Sequence, residues 1–282
     1  MAGWTTLVQP DVLAMALQRP DVVIVDCRFS LADPLAGEHA WHASHLPGAV
    51  YAHLERDLSN MARHGEGRHP WPDEHAFLAR LQQWGISPST QVVAYDDGDG
   101  AIAARLWFLL RVLGHEKVAV LDGGLKRWIA LGLPASSVSP RPVPAHYAGH
   151  FDRSRLLDAA AVEAHLANGG ILIDARAPER FRGEQEPLDR VAGHVPGAIN
   201  RYYMNNLQET GQFKSPMQLA AEFRALLGDR DPTQVVSMCG SGVTACHTLL
   251  AMERAGLRGG KLFTASWSGW ITDPARPVAT GP

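Results

Sequence analysis

Val235-Val236-Ser237-Met238-Cys239-Gly240-Ser241-Gly242-Val243-Thr244-Ala245 reads as strand, tight loop and helix in immediate succession. An apolar run ends at Cys239, two glycines flank a serine, and a helical pattern from Val243 to about Ala255 follows. Gly240 and Gly242 allow positive φ, so several N–H groups can point into one small bowl. The helix adds the positive end of its dipole beneath that bowl. Such a setting favours a thiolate: an ordinary cysteine titrates near ~8.5, and one held in an N–H cradle titrates lower. A core cysteine more commonly sits inside a strand or helix than at a strand end in a glycine loop. The stretch offers a nucleophilic sulfur in a site suited to anions.

Working outward, the chain repeats itself. Val23-Ile24-Val25-Asp26-Cys27-Arg28 matches Ile171-Leu172-Ile173-Asp174-Ala175-Arg176 at an offset of 148. His45-Leu46-Pro47-Gly48-Ala49-Val50 matches His194-Val195-Pro196-Gly197-Ala198-Ile199 at 149, Gln91-Val92-Val93 matches Gln234-Val235-Val236 at 143, and Trp128 matches Trp270 at 142. The surplus in the first copy falls around Arg63-His64-Gly65-Glu66-Gly67-Arg68-His69-Pro70, which has loop composition. Aligned on the preceding strands, Tyr95-Asp96-Asp97 stands where Met238-Cys239-Gly240 stands, so the first copy carries an acid in place of the thiol.

Each copy alternates short β-branched runs with helical patterns, which predicts an α/β fold: a parallel sheet with helices on both faces, made twice. In the first copy the pattern predicts helices over 10–18, 74–84, 101–113 and from 124 to 131, with strands over 22–25, 92–95 and 118–121. In the second it predicts helices over 159–167, 217–227 and 243–255, with strands over 171–174, 235–238 and 261–263. Proline-rich Ser136–Pro144 marks an extended connection. The expected division is a non-catalytic domain over 1–137, a linker over 138–150 and a catalytic domain over 151–282.

The composition is that of a soluble globular protein, with 282 residues and a net charge of −3. The basic residues are scattered, which argues against a nucleic-acid groove or an anionic membrane surface. No stretch approaches the ~20 apolar residues of a membrane-spanning helix, and residues 1–6 do not read as a secretory signal. Cys27, Cys239 and Cys246 form an odd, sparse set without metal-type spacing, so a reducing, cytoplasmic setting is expected.

These motifs together resemble the tandem-domain rhodanese family, the thiosulfate and 3-mercaptopyruvate sulfurtransferases, over nearly the whole chain. The resemblance rests on Cys239-Gly240-Ser241-Gly242-Val243-Thr244, the paired His-x-Pro-Gly-Ala motifs, Val120-Leu121-Asp122-Gly123-Gly124 with Trp128, and Ser266-Trp267-Ser268-Gly269-Trp270. The Cys-Gly-Ser-Gly loop is similar to the mercaptopyruvate subgroup; thiosulfate enzymes typically place arginine and lysine where Gly240 and Ser241 stand.

The resemblance implies that Cys239 attacks the sulfur of a small anionic donor, 3-mercaptopyruvate or thiosulfate. It then holds that sulfur as a persulfide and yields it to cyanide or a thiol acceptor, either a small dithiol or a thioredoxin-like protein. It implies no cofactor and no metal. By the same resemblance Gly240, Gly242, Val243 and Thr244 bind substrate, Arg180 is the substrate arginine, and Ser241, His69 and Glu55 form a proton relay. The subgroup usually continues Glu-Pro-Arg with a second substrate arginine. This chain reads Glu186-Pro187-Leu188-Asp189-Arg190, so Arg190 is the candidate replacement, two residues further on.

Other signals carry less. His39, His42 and His45 have a three-residue spacing that could suit a metal, but His45 belongs to the repeated motif and reads as structural. Cys246 reads as a packed helix cysteine and Cys27 as a small apolar filler. Gly98-Asp99-Gly100 lacks the context of a dinucleotide site. A cysteine phosphatase would need an arginine where Ala245 stands. A carrier that passes persulfide sulfur between proteins is a further reading that the sequence leaves open.

Overall fold

The computed structural model describes residues 3–282, which divide into two compact units. The first runs to Asn60, resumes over Pro72–Asp152 and includes Glu209–Phe213. The second comprises Met61–Trp71, Arg153–Gln208 and Lys214–Pro282. Residues 61–71, which lie before the expected domain boundary in sequence, thus belong structurally with the second unit.

In the first unit the elements are β1 (Leu7–Val8), α1 (Pro10–Ala14), β2 (Val22–Asp26), α2 (Ala36–Ala43), β3 (Val50–Tyr51), α3 (Leu54–Asp57), α4 (Glu74–Gln83), β4 (Gln91–Tyr95), α5 (Ala103–Val112), β5 (Val118–Leu121) and α6 (Gly124–Ala130). Its strands form a parallel sheet in the order β1-β5-β4-β2-β3. In the second unit they are β6 (Leu156–Leu157), α7 (Ala159–Ala167), β7 (Ile171–Asp174), α8 (Pro178–Phe181), β8 (Ile199–Asn200), α9 (Pro216–Leu227), β9 (Val235–Met238), α10 (Thr244–Arg254), β10 (Lys261–Phe263) and α11 (Ser266–Trp270). The order β6-β10-β9-β7-β8 repeats that of the first sheet. Strands β4, β5, β7 and β9 are buried at every position, so both faces of each sheet are covered, and this is why they read as continuous apolar runs.

The duplication extends to side-chain chemistry. Arg28 grips Asp26 and donates to the Ser44 carbonyl at 2.7 Å; Arg176 grips Asp174 and donates to the Gly193 carbonyl at 2.7 Å. Indole N–H groups of Trp128 and Trp270 donate to the carbonyls of Pro134 and Pro277. His45 and His194 each hold a carbonyl through Nδ1, that of Trp41 and that of Phe181. His45 also contacts the Val138 carbonyl through Nε2, so both ring nitrogens serve the fold.

Local chemistry sets the ends of the elements. Asp158 caps α7 by accepting from Ala161 N–H at 2.8 Å, and Ser215 with Gln218 forms a reciprocal capping box on α9, with Pro216 in the first turn. Helix α1 stops at Ala14, short of the expected Gln18. Residues 16–19 turn through three-residue hydrogen bonds instead, because Pro20 disfavours helical geometry at Arg19. The pattern missed β1, β3, β6 and β8, two residues each and too short to show periodicity, and it missed α2, α3, α8 and α11.

Residues 138–150 carry no helix or strand, yet they are not a loose tether. Ala145 N–H donates to the Gln82 carbonyl, Gln82 Nε2 donates to the Tyr147 carbonyl, and the buried Tyr147 ring stacks on His115. The connection is docked on the first unit through these bonds.

Candidate active site

Strand β9 delivers Cys239 to the N-terminal end of α10, where it is 2 % exposed. Three neighbours fix its backbone and sulfur. Its N–H donates to Ser266 Oγ at 3.1 Å, its carbonyl accepts from Trp267 N–H at 3.0 Å, and its Sγ accepts from Gly242 N–H at 3.2 Å. Gly242 has φ +77°, the left-handed conformation that lets the loop turn its N–H back toward the sulfur. Cys246, in the first turn of α10, donates Sγ–H to the Gly242 carbonyl at 3.3 Å and is fully buried, so it braces the loop. No disulfide joins the three cysteines, all of them buried.

Ser266, read in the sequence only as part of a motif, holds the Cys239 backbone. It is the one non-glycine with positive φ among the described residues, at +50°, and it is fully buried. In the first unit the equivalent position is Gly124, φ +54°. The neighbouring bonds are duplicated as well: Leu125 and Lys126 donate to the carbonyls of Asp96 and Asp97 as Trp267 and Ser268 do to those of Cys239 and Gly240. The first copy relieves the turn with glycine. The second accepts the strain of a serine there, and its hydroxyl holds Cys239 N–H while donating to the Phe263 carbonyl at 2.9 Å. The sequence signal was present in Ser266-Trp267-Ser268-Gly269-Trp270, but nothing in it announced the backbone angle.

Segment 61–71 packs onto the same loop. Gly67 has φ +92°, and a Cβ there would lie 2.5 Å from the Ala265 carbonyl oxygen. Only glycine allows that approach. Arg68 N–H then donates to Ser268 Oγ at 2.9 Å, and His69 Nδ1 meets Ser241 Oγ at 2.8 Å, with both side chains buried. The sequence-derived pair Ser241 and His69 is thus brought together one residue away from Gly240. Glu55 lies on α3 of the first unit, its N–H donating to His53 Nδ1.

Arg180, in the last turn of α8, is held on one edge by Glu186 (Nη2–Oε1 2.7 Å) and reaches Asp189 (Nη2–Oδ2 3.1 Å). Burial works against the Glu186 charge, but Arg180 and the N–H groups of Leu188 and Asp189 outweigh it and hold the carboxyl below its usual range. A Cβ on Gly240 would lie 3.6 Å from Arg180 Nη1 and Nη2, so this guanidinium stands over the loop. Arg190 does not share those partners. It donates to the Ile271 carbonyl and lines a cavity of about 450 Å³ with Thr272, Asp273 and Arg276, none of them in the 239–244 loop. Val243 is the residue before α10, and Thr244 opens it.

A rhodanese-like domain model matches residues 9–131 and again 158–273. The chain belongs to the rhodanese family. It is 50% identical over 272 residues to a probable 3-mercaptopyruvate sulfurtransferase of Pseudomonas aeruginosa, spanning 95% of this chain and 96% of that protein. It is 40% identical over 277 residues to a putative thiosulfate sulfurtransferase, SseB, of Mycobacterium tuberculosis, spanning 95% of each. Among solved structures it is similar to SseA of Escherichia coli, described as a 3-mercaptopyruvate sulfotransferase, with TM-score 0.80 and 29% identity over 94% of this chain and 100% of that one. As a member of this family the chain is a sulfurtransferase.

The first rhodanese copy shows what the loop does without its thiol. Asp96 stands in place of the cysteine, and its two carboxyl oxygens accept from the N–H groups of Gly98, Gly100, Ile102 and Ala103 at 2.9–3.1 Å. The cradle there is closed by its own side chain. In the second copy one N–H is directed at sulfur instead, and the sulfur is the group that can react.

Proposed function

We propose that this rhodanese takes sulfur from 3-mercaptopyruvate through a persulfide on Cys239 and passes it to a thiol acceptor. The observation that carries the reading is the Ser241–His69 hydrogen bond of 2.8 Å beside a cysteine whose sulfur already accepts an N–H. In the forward step the Cys239 thiolate attacks the donor sulfur. A sulfur–sulfur bond forms, the carbon–sulfur bond breaks, and its electron pair leaves as the enolate of pyruvate. That enolate needs a proton, and a hydroxyl bonded to an imidazole is a suitable source. Loop N–H groups and the end of α10 stabilise the sulfur anions without a side-chain base.

Arg180 binds the donor carboxylate in this reading, and Gly240, Gly242, Val243 and Thr244 form the backbone of the cradle. Glu55 as the outer acid of the relay rests on the family resemblance. Arg190 has no place in the proposed site, since its guanidinium serves the Ile271 carbonyl. The acceptor is a small dithiol or a thioredoxin-like protein, and three buried cysteines outside disulfides support a reducing, cytoplasmic setting. No helix among the described residues is long and apolar enough to cross a membrane.

The test is to incubate wild type, Cys239→Ser and His69→Asn with 3-mercaptopyruvate and read the protein mass for one added sulfur atom, then to add dithiothreitol as acceptor and follow the steady-state release of pyruvate. Wild type gains the sulfur, Cys239→Ser does not, and His69→Asn shows a kcat lowered by roughly 10²–10⁴. A Cys239→Ser protein that still turns over at the wild-type rate rules the reading out. Faster turnover of thiosulfate than of 3-mercaptopyruvate moves the donor to thiosulfate. Loading only from another protein's persulfide makes the chain a sulfur carrier.

A further inference from the structure

We propose that Arg68 is the second cation that binds the donor carboxylate, in place of the arginine this chain lacks at Leu188. The inference rests on the donor reading above. Leu188 is half exposed and carries no charge, and Arg190 is committed to the Ile271 carbonyl. Arg68 instead places a guanidinium over the cysteine loop from a different part of the chain. A Cβ on Gly240 would lie 3.0 Å from Arg68 Nη2, with Arg180 Nη1 and Nη2 0.6 Å further off at 3.6 Å. Two guanidiniums therefore converge on the residue that follows Cys239.

Their orientation is fixed from behind. Asp189 bridges them, accepting from Arg68 Nη1 at 2.7 Å through Oδ1 and from Arg180 Nη2 at 3.1 Å through Oδ2. Glu186 takes the remaining edge of Arg180. The Arg68 backbone is pinned to Ser268 Oγ, and Gly67 sets the approach. What is left over is donor capacity on both heads. Arg68 Nε is buried with no hydrogen-bond partner among the described residues, and neither Arg68 Nη2 nor Arg180 Nη1 donates to a side chain or carbonyl there. Both heads remain in part accessible, with side-chain exposures of 26 % and 17 %.

The charges explain the class of ligand. Arg68, Arg176 and Arg180 are balanced by Asp174, Glu186 and Asp189, so the cluster is near neutral and does not attract anions by bulk charge. It offers directed N–H groups from two planar forks, which suit the two oxygens of a carboxylate. Gly240 suits the same arrangement: a Cβ there would crowd the Arg68 head at 3.0 Å and make it give way. Asp189 acts as a positioning residue for both heads.

The test compares wild type, Arg68→Gln and Arg68→Lys on 3-mercaptopyruvate and on mercaptoacetone, which has a methyl group in place of the carboxylate. Pyruvate affinity is measured alongside by titration calorimetry. Arg68→Gln should raise KM for 3-mercaptopyruvate and weaken pyruvate binding, each by roughly 10- to 100-fold, as expected for a charge-assisted bond. It should leave mercaptoacetone turnover within about threefold of wild type, and Arg68→Lys should fall between. Equal losses on both donors would make Arg68 a structural residue and overturn the proposal, as would an unchanged preference. Melting temperatures of the variants separate misfolding from lost recognition. Should wild type turn over neither donor, the functional reading fails on its own, and the pyruvate titration still decides whether Arg68 holds a carboxylate.

Discussion

Replacing Ser266 probes how the fold stores strain beside the reacting sulfur. The residue is fully buried, holds φ +50°, accepts Cys239 N–H at 3.1 Å and donates to the Phe263 carbonyl at 2.9 Å. Left-handed backbone costs an L-residue about 1–2 kcal/mol, and glycine escapes that cost. A buried N–H deprived of its acceptor costs about 1–3 kcal/mol. Ser266→Ala keeps the strain and loses the acceptor, so it should destabilise the second unit by about 1–3 kcal/mol. Ser266→Gly loses the same acceptor but sheds the strain. Because glycine also gains about 0.4–1 kcal/mol of freedom in the unfolded chain, the glycine variant should recover only about 0–1.6 kcal/mol relative to alanine. Urea unfolding followed by tryptophan fluorescence measures both, since Trp267 and Trp270 lie in the core of this unit. In each variant Cys239 N–H is no longer pinned, so the rate of persulfide formation should drop together with stability. Wild-type stability in Ser266→Ala, or a glycine variant more stable than wild type with full activity, would refute the argument that the hydroxyl bond holds the strained turn.

Two further outcomes follow from other parts of the molecule. Gly67→Ala forces a Cβ to 2.5 Å from the Ala265 carbonyl at a φ of +92°, so segment 61–71 must shift, carrying Arg68 and His69 with it. Its kcat/KM should fall at least as far as that of His69→Asn, and an unaffected enzyme would show that the segment does not depend on this close approach. The first unit should be acid-sensitive through His115, whose pKa is lowered chiefly by burial, with the Arg111 charge adding and the backbone of Thr90 and Lys117 opposing. A histidine with a depressed folded pKa binds fewer protons in the native state, so stability is lost as pH falls below about 6.5. Asp96, its carboxyl pushed up to about 7 by burial and Asp99 against the pull of its N–H donors, contributes the opposite slope. The His115 share is therefore read as wild type minus His115→Gln, in urea midpoints at pH 7.5 and 5.5. Identical midpoint changes in the two proteins would contradict it.

The sequence by itself determined the duplication, the α/β alternation, the inner strands and the cysteine at a strand–helix turn. Each of these is written in local order: apolar runs of four or five residues, helical periods, and motifs repeated in one sequence. Strands β7, β9 and β10 came out residue for residue because turn residues bound them closely. The two-residue edge strands did not, since so short an element is defined by its partner and not by its own pattern. Arg180 was marked by family resemblance, but that Glu186 and Asp189 hold it over Gly240 is a matter of three chain segments meeting. Arg190 was the arginine that sequence proximity offered beside Leu188; the fold turns it to the Ile271 carbonyl and brings Arg68, 122 positions before Arg190, to the loop instead. Ser266 shows the same division. Its identity is plain in the sequence, but its left-handed backbone and its bond to Cys239 exist only once α11 packs across the end of β9. Local pattern fixes which elements form; which side chains share a site is decided by packing, because that brings together residues that sequence distance keeps apart.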